Sequence, residues 1–222
     1  MLQDKITIAI DGPSSSGKGT ITKKLANHLK IPCLNTGGLY RAVAYLALSN
    51  NLHPEKDFAK ILQLKQEILE INPDSDFLHN EEVAKMASNL AIKPEIRQML
   101  IDAQANFIND SLEGNNGVII EGRDIGTVIM PDAKFKFFIT ASAKIRAKRR
   151  YSQMIKKGLE ADFAKILEQI EKRDFADKNR KSSPLKQADD AILIDTSNLD
   201  IDEVFAEIIS VIPKLIFKKG KY

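Results

Sequence analysis

Ile6-Thr7-Ile8-Ala9-Ile10-Asp11-Gly12-Pro13-Ser14-Ser15-Ser16-Gly17-Lys18-Gly19-Thr20 is the stretch on which the fold turns. An apolar run of strand length, Ile6 to Ile10, passes into Gly12 to Thr20, which fits G-x-x-x-x-G-K and opens into a helical pattern at about Gly19. Phosphate oxygens need several donors converging on one point. A loop of small residues lets backbone N–H groups approach them, and the following helix N-terminus adds its dipole. Lys18 supplies a positive charge on a flexible stem. Gly19 stands where many such loops place Ser or Thr beside the lysine, and Thr20 follows one position later, so direct coordination of a divalent cation by Thr20 stays open.

Working outward, four more short apolar runs read as strands: Ile31 to Leu34, Val118 to Ile120, Phe135 to Ile139 and Ala191 to Ile194. Between them the spacing predicts helices over Lys18 to Lys30, Gly38 to Ser49, Phe58 to Ile71, Glu82 to Leu90, Pro94 to Leu112, Ala143 to Lys157, Phe163 to Arg180 and Ile201 to Ile216. Strands alternating with helices imply a parallel sheet covered on both faces. Leu52 to Leu112 and Ala143 to Asp190 break the alternation and read as insertions into the sheet core. The turn cluster Asn72-Pro73-Asp74-Ser75-Asp76 lies between Ile68 to Ile71 and Phe77 to Leu78 and predicts a small hairpin.

A chain of 222 residues can bury one substantial core, which excludes a small disulfide-stapled module. The 33 Lys and Arg against 30 Asp and Glu leave +3, too mild a charge for a dedicated nucleic-acid binder, so no nucleic-acid partner is expected. The single cysteine, Cys33, permits no internal disulfide, and Met1 to Lys5 enters the first strand without a signal-peptide pattern. With no apolar stretch near the ~20 residues that span a bilayer, the expectation is a cytoplasmic protein without membrane residence.

A phosphate loop specifies a nucleotide but not a reaction. No Asn-Lys-x-Asp segment of the kind that reads guanine is present. Val118-Ile119-Ile120-Glu121 comes closest to the acidic strand of ring ATPases and motors, yet it continues into Gly122-Arg123-Asp124. Arginine at that exit suits a second anionic substrate. Only eight of the 33 basic residues are arginine, at 41, 97, 123, 146, 149, 150, 173 and 180. The guanidinium fork grips phosphate or carboxylate in a way lysine cannot match, so each arginine in a lysine-biased chain hints at a geometric demand. Arg41 and Arg123 follow strands, at the sheet end where open α/β folds bind ligands. Arg173, Asp177 and Arg180 fall at i, i+4 and i+7 on one helical face, which fits a ligand contact or an exposed ion-pair ladder. Lys144, Arg146, Lys148, Arg149, Arg150, Lys156 and Lys157 form a basic cluster that fits either a cover over a triphosphate or a solvated helix.

Together, Ile8 to Thr20, Thr36-Gly37-Gly38-Leu39-Tyr40-Arg41, Glu121-Gly122-Arg123-Asp124-Ile125-Gly126-Thr127 and Arg173-Asp174 through Asp177, Arg180 and Ser183-Pro184-Leu185 resemble the bacterial-type cytidylate kinases among the nucleoside monophosphate kinases. The resemblance covers most of the chain. The phosphate loop is generic, whereas Gly-Arg-Asp-Ile-Gly-Thr with the Arg-Asp-x-x-Asp-x-x-Arg helix is specific to that family. It implies an α/β fold of P-loop NTPase type: a five-stranded parallel sheet with helices on both faces, a monophosphate-binding insertion and a helical lid. The whole is one kinase domain over 1–222, with its core at 1–51, 113–142 and 182–222, the insertion at about 52–112 and the lid at about 143–181.

The implied reaction moves the γ-phosphoryl group of Mg²⁺-bound ATP to CMP or dCMP. Gly12, Pro13, Ser14, Ser15, Ser16, Gly17, Lys18, Gly19 and Thr20 would hold ATP. Arg41, Arg123 and Arg180 would grip the acceptor phosphate, with Thr36 beside them. Arg173 and Asp177 would hold the sugar hydroxyls, and Ser88, Arg97 and Asp124 would contact cytosine. Lys18, Arg123 and Arg180 carry the catalytic charge, and a monomer is expected. The readings left open are a similar kinase for UMP, AMP or a small metabolite, and a P-loop ATPase with a nucleic-acid role. Departures from the family pattern lie at Ile71 to Glu82, which is short and polar, and at Ala176 and Lys178, where relatives often carry arginine.

Overall fold

The computed structural model describes residues 5–218, with side chains up to residue 212. Residues 1–4 of the reading over Met1 to Lys5 lie outside the described residues. In chain order the elements are β1 (Ile6–Asp11), α1 (Lys18–Leu29), β2 (Cys33–Asn35), α2 (Thr36–Ser49), α3 (Phe58–Gln63), α4 (Lys65–Glu70), a 3₁₀ turn (Asp76–His79), α5 (Glu81–Leu90) and α6 (Pro94–Gly114). They continue with β3 (Gly117–Gly122), a π-helical turn (Ile125–Ile129), β4 (Phe135–Thr140), α7 (Ala143–Lys156), α8 (Phe163–Asn179), β5 (Ile192–Asp195) and α9 (Ile201–Lys218).

The five strands form one sheet in the order β2-β3-β1-β4-β5, with β1 parallel to both β3 and β4, and β4 parallel to β5. All six residues of β3 are buried, which is why this strand reads as a continuous apolar run and not an alternating one. Ile8, Ile10, Ile119, Phe135, Phe137 and Ile139 from the strands pack with Ile21 and Leu25 of α1 and with Val204, Ile208 and Ile212 of α9. The strand order reverses at β1. The loop after β1 therefore sits at the topological switch point, where such sheets bind ligands.

Contacts divide the chain into two compact units, one of residues 1–33 and 116–222, the other of 34–115. In the second unit α2 is the hub, packing on α3, α4, the 3₁₀ turn, α5 and α6. Asn35 starts it by accepting a hydrogen bond from Gly38 N at 3.2 Å, while its Nδ2 donates to Asp74 at 3.2 Å. Gly38 is required here: a Cβ would lie 2.1 Å from the Pro73 carbonyl oxygen.

Two expectations fail in this unit. The helix predicted over Phe58 to Ile71 is two short helices, because Leu64 N bonds back three residues to Ile61 O and interrupts the ladder before Ile68 N resumes it on Leu64 O. The hairpin predicted around Asn72 to Asp76 is instead a turn leading into the 3₁₀ segment Asp76–His79. Asn72 accepts from the backbone N–H groups of Asp74 and Ser75, and Leu78 is the single fully buried apolar anchor. One anchor gives no alternating face to pair. Among the described residues, no helix is long and apolar enough to cross a membrane.

Candidate active site

The loop between β1 and α1 is built from its backbone outward. Gly12 adopts φ +146°, and a Cβ there would fall 2.0 Å from the Ile139 carbonyl oxygen of β4, so no other residue fits. Its carbonyls are tied down by side chains. Lys18 Nζ donates to Pro13 O at 2.7 Å, Arg146 Nη1 to Ser14 O at 3.2 Å and Arg149 Nη1 to Ser16 O at 3.4 Å. The buried Thr196 hydroxyl, after β5, lies 3.2 Å from the same Ser16 oxygen and accepts from Arg149 Nη1 at 2.9 Å. Anchoring carbonyls in this way fixes a loop whose N–H groups are its means of binding phosphate.

Lys18 is buried, and burial followed by the Arg123 guanidinium pushes its ammonium down to about 7, against the pull of Glu121 and Asp11. Glu121, buried at the end of β3, accepts from the Thr22 hydroxyl at 3.0 Å. A Cβ on Gly19 would stand 3.6 Å from both of its carboxylate oxygens. The missing Ser or Thr side chain at position 19 thus leaves room beside a buried acid. Asp11, the last residue of β1, is pushed up to about 6 by burial, against hydrogen bonds from the backbone of Gly126 and Ile125 and the charge of Lys18, with Asp124 adding to the rise.

Past β3, Arg123 Nε donates to Asp177 Oδ2 of α8 at 2.9 Å, and Nη1 donates to its neighbour's carbonyl, Gly122 O, at 3.2 Å. Arg180 Nη2 lies 3.7 Å from Asp124 Oδ1, while its Nε donates to Ser183 O at 2.5 Å. Leu185 N donates to Asp177 O at 2.8 Å, which folds the Ser183-Pro184 segment back along the end of α8. Burial raises the Asp177 carboxyl, but the fields of Arg123 and Arg173, the Arg123 hydrogen bond and the charge of Arg180 outweigh it, and Asp177 titrates below the ordinary carboxylate range. The structure therefore brings Lys18, Arg123, Asp124, Arg173, Asp177 and Arg180 together. The face shared by Arg173, Asp177 and Arg180 is no exposed ladder.

The basic cluster of 144–157 divides. Arg146 is 3% exposed, donating to Ala141 O at 2.8 Å and to both carboxylate oxygens of Asp174 on α8. For this residue both sequence readings, phosphate cover and solvated helix, give way to a buried anchor. Arg149 holds Thr196 through its carbonyl as well, at 2.6 Å.

Within the 34–115 unit, Thr36 is buried at the start of α2 and Arg41 follows one turn later on the same helix. Arg97 of α6 is buried with its guanidinium 5.9 Å from the Tyr40 ring centre, beside Arg41 in sequence. Ser88 on α5 donates to Ala84 O at 3.0 Å. Sequence reasoning missed Asp11 and Thr196, and it singled out Arg146 and Arg149 without their role as anchors of the loop. Asp11 had a signal, an acid abutting the loop; Thr196 had none, since its role depends on a contact 180 positions away from Ser16.

A glycine-forced loop at the sheet's switch point, a buried lysine and a cluster of arginines paired with carboxylates define a P-loop phosphotransferase. Comparison with known proteins carries this further. The family model for cytidylate kinase matches residues 8–214. The cytidylate kinase of Bartonella tribocorum (strain CIP 105476 / IBS 506) is 44% identical over 210 residues, covering 94% of this chain and 95% of that protein. The cytidylate kinase of Clostridium botulinum (strain Hall / ATCC 3502 / NCTC 13319 / Type A) is 42% identical over 218 residues, covering 94% and 98%. Among solved structures, an uncharacterized protein from Eubacterium ventriosum ATCC 27560 superposes with a TM-score of 0.51 at 21% identity, over 94% of this chain and 99% of that one, a likeness of fold. The chain belongs to the cytidylate kinase family. It is a nucleoside monophosphate kinase, and phosphorylation of CMP or dCMP by ATP is the activity that membership gives it.

Proposed function

We propose that the chain carries out this transfer with its donor and acceptor machinery meeting at Lys18 and Arg123. The carrying observation is geometric: Asp11, which ends β1, pairs in register with Gly122 of β3, so the loop bearing Lys18 and the segment that begins with Arg123 leave neighbouring parallel strands at the same sheet end. There burial and then the Arg123 guanidinium depress the Lys18 ammonium. Two cations gathered at one sheet end are suited to a pair of anions arriving together. In-line phosphoryl transfer needs little covalent help, because alignment and neutralisation of the equatorial oxygens supply most of the catalysis. Gly12 to Thr20 hold the ATP phosphates, with Lys18 on the transferred group. Arg123 and Arg180 take the acceptor phosphate, the group to which the resemblance also assigns Arg41 and Thr36. Arg173 and Asp177 take the sugar, and Asp124, Arg97 and Ser88 take the base. Residues at about 52–112 serve as the acceptor-binding insertion and those at about 143–181 as the lid.

Mg²⁺ binds through one or two carboxylates, substrate phosphates and retained waters. Glu121, whose carboxylate borders the space beside Gly19, is an acid that fits the ion. Mg²⁺ there would neutralise phosphate charge. Glu121 itself holds the Thr22 hydroxyl and offsets the charge of Lys18.

An acceptor screen tests the reading: ADP formation from Mg-ATP with CMP, dCMP, UMP and AMP. Cytosine offers an amino donor and an N3 acceptor, matching Asp124 as acceptor and Arg97 or Ser88 as donor, and uracil reverses both. A site left with mispaired polar groups should favour CMP over UMP by at least ~10²-fold in kcat/KM. Equal efficiencies would overturn the base assignment, and a preference for AMP would favour the alternative acceptor.

A further inference from the structure

We propose that Asp11 is a positioning residue for the acceptor side of the reaction, its carboxylate fixing the segment that carries Arg123 and Asp124. The proposal rests on the acceptor roles given above to those two residues. Asp11 is the final residue of β1, and its Cα pairs in register with Gly122, the residue before Arg123. Its side chain reaches past that pairing. Ile125 N donates to Oδ1 at 2.8 Å and Gly126 N donates to Oδ2 at 2.7 Å. Arg123 and Asp124 are thus bracketed, by the strand register at Gly122 on one side and by two hydrogen bonds to a single carboxylate on the other. Asp124 continues the clamp into the π-helical turn, where its carbonyl accepts from Val128 N at 2.9 Å.

A buried carboxylate accepting two backbone N–H groups is a directional constraint, because both oxygens are satisfied in only one placement of the peptide that donates to them. Among the described residues the hydrogen bonds that hold the donor loop come from elsewhere, although the charge of Asp11 also acts on Lys18. Gly12 follows Asp11 directly, but the loop carbonyls are held by Lys18, Arg146 and Arg149, with Thr196 beside Ser16 O. Loss of the Asp11 clamp should therefore loosen one substrate's site and spare the other. A residue that only stabilises the fold would not separate the two.

Gly126 offers a second way to disturb the same contact. A Cβ there would lie 3.4 Å from Asp11 Oδ2 and 3.3 Å from Lys136 Cδ. Lys136 is itself buried and paired with Asp190 at 2.9 Å, so it yields little. An added methyl, in contact with Oδ2, presses on the clamp from its donor side while leaving Asp11 itself unsubstituted.

The test measures KM for CMP, KM for ATP and the CMP to UMP ratio of kcat/KM in the full-length wild type, Asp11→Asn and Gly126→Ala, with thermal melting of each. Asparagine keeps the shape but sets an amide donor against a backbone N–H. For Asp11→Asn the expected result is a rise in KM for CMP of about 10- to 100-fold, on the scale of a ~1 Å misplacement, and a weakened preference for CMP over UMP. KM for ATP should stay within about threefold in Gly126→Ala, which keeps the Asp11 charge that acts on Lys18, as for the loss of one substrate's ground-state binding. Gly126→Ala should show the same pattern more weakly, and it decides the matter where Asp11→Asn does not fold. Equal rises in both KM values in Gly126→Ala, or unchanged KM for CMP in folded variants of an active wild type, would overturn the role of Asp11 while leaving the function standing. A wild type that does not phosphorylate CMP would overturn both.

Discussion

Two carboxylates three positions apart on α8 close two different kinds of ion pair. Asp174 meets Arg146 of α7, and that guanidinium, almost wholly buried, also donates to Ala141 O and Ser14 O. Asp177 meets Arg123 through a single contact of 2.9 Å, with side chains 17% and 18% exposed, and the companion pair Arg180–Asp124 stands at 3.7 Å, beyond hydrogen-bonding distance. In the first pair the arginine is locked by protein, while Asp174 stays 15% exposed. The second is one-pointed, borders on solvent and consists of groups assigned to substrate. The difference teaches that the partners of an arginine, more than its charge or helical spacing, separate an anchor from a ligand contact.

The comparison breaks most visibly at the looser pair. Arg123→Lys and Arg180→Lys should each lower kcat/KM for CMP by about 10²-fold, since lysine keeps the attraction but loses the planar fork that orients phosphate. Their melting temperatures should change little. Wild-type efficiency in both, measured as CMP-dependent ADP formation, would remove these residues from the phosphate site. Arg146→Lys should reverse the balance. An ammonium cannot reach both Asp174 oxygens and two carbonyls at once, so about 2 to 3 kcal/mol of stability should be lost in urea unfolding, as for a weakened buried pair. KM for CMP should stay within about threefold. A change in KM for CMP as large as that of Arg123→Lys would erase the distinction between the two pairs.

The same contrast explains what could be read from the chain. Ile6 to Ile10, Val118 to Ile120 and Phe135 to Ile139 sit in a sheet buried on both faces, so their hydrophobic runs are long and unambiguous, and Gly12 to Lys18 follows from local backbone need. The helices of 58–79 were less legible because one buried residue per turn, Ile61, Ile68 and Leu78, fixes each piece, and periodicity does not report where a ladder is interrupted. At the site, the arginines were legible as residue types. Their partners were not: Arg123 finds Asp177 across 54 positions, Arg146 finds Ser14 across 132, and no local pattern encodes contacts made only by the finished fold.

The smallest expected effect sharpens the comparison through pH. Asp177→Asn retains a carbonyl oxygen able to accept from Arg123 Nε, so what is lost is charge more than contact, and the cost at neutral pH should be about 1 kcal/mol. The native Asp177 carboxyl titrates below its ordinary value despite burial, because Arg123, Arg173 and Arg180 favour the ionised form. A depressed native pKa means that the unfolded chain takes up the proton first. The stabilisation is then complete above the ordinary carboxylate range and is lost as pH falls through the native value. The stability gap between wild type and Asp177→Asn should accordingly be widest near about pH 7 and close below about pH 4, measured by urea unfolding across that range. If the gap widens on acidification, Asp177 is not held as an anion by the arginines, and the looser pair loses the electrostatic character that distinguishes it from the locked one.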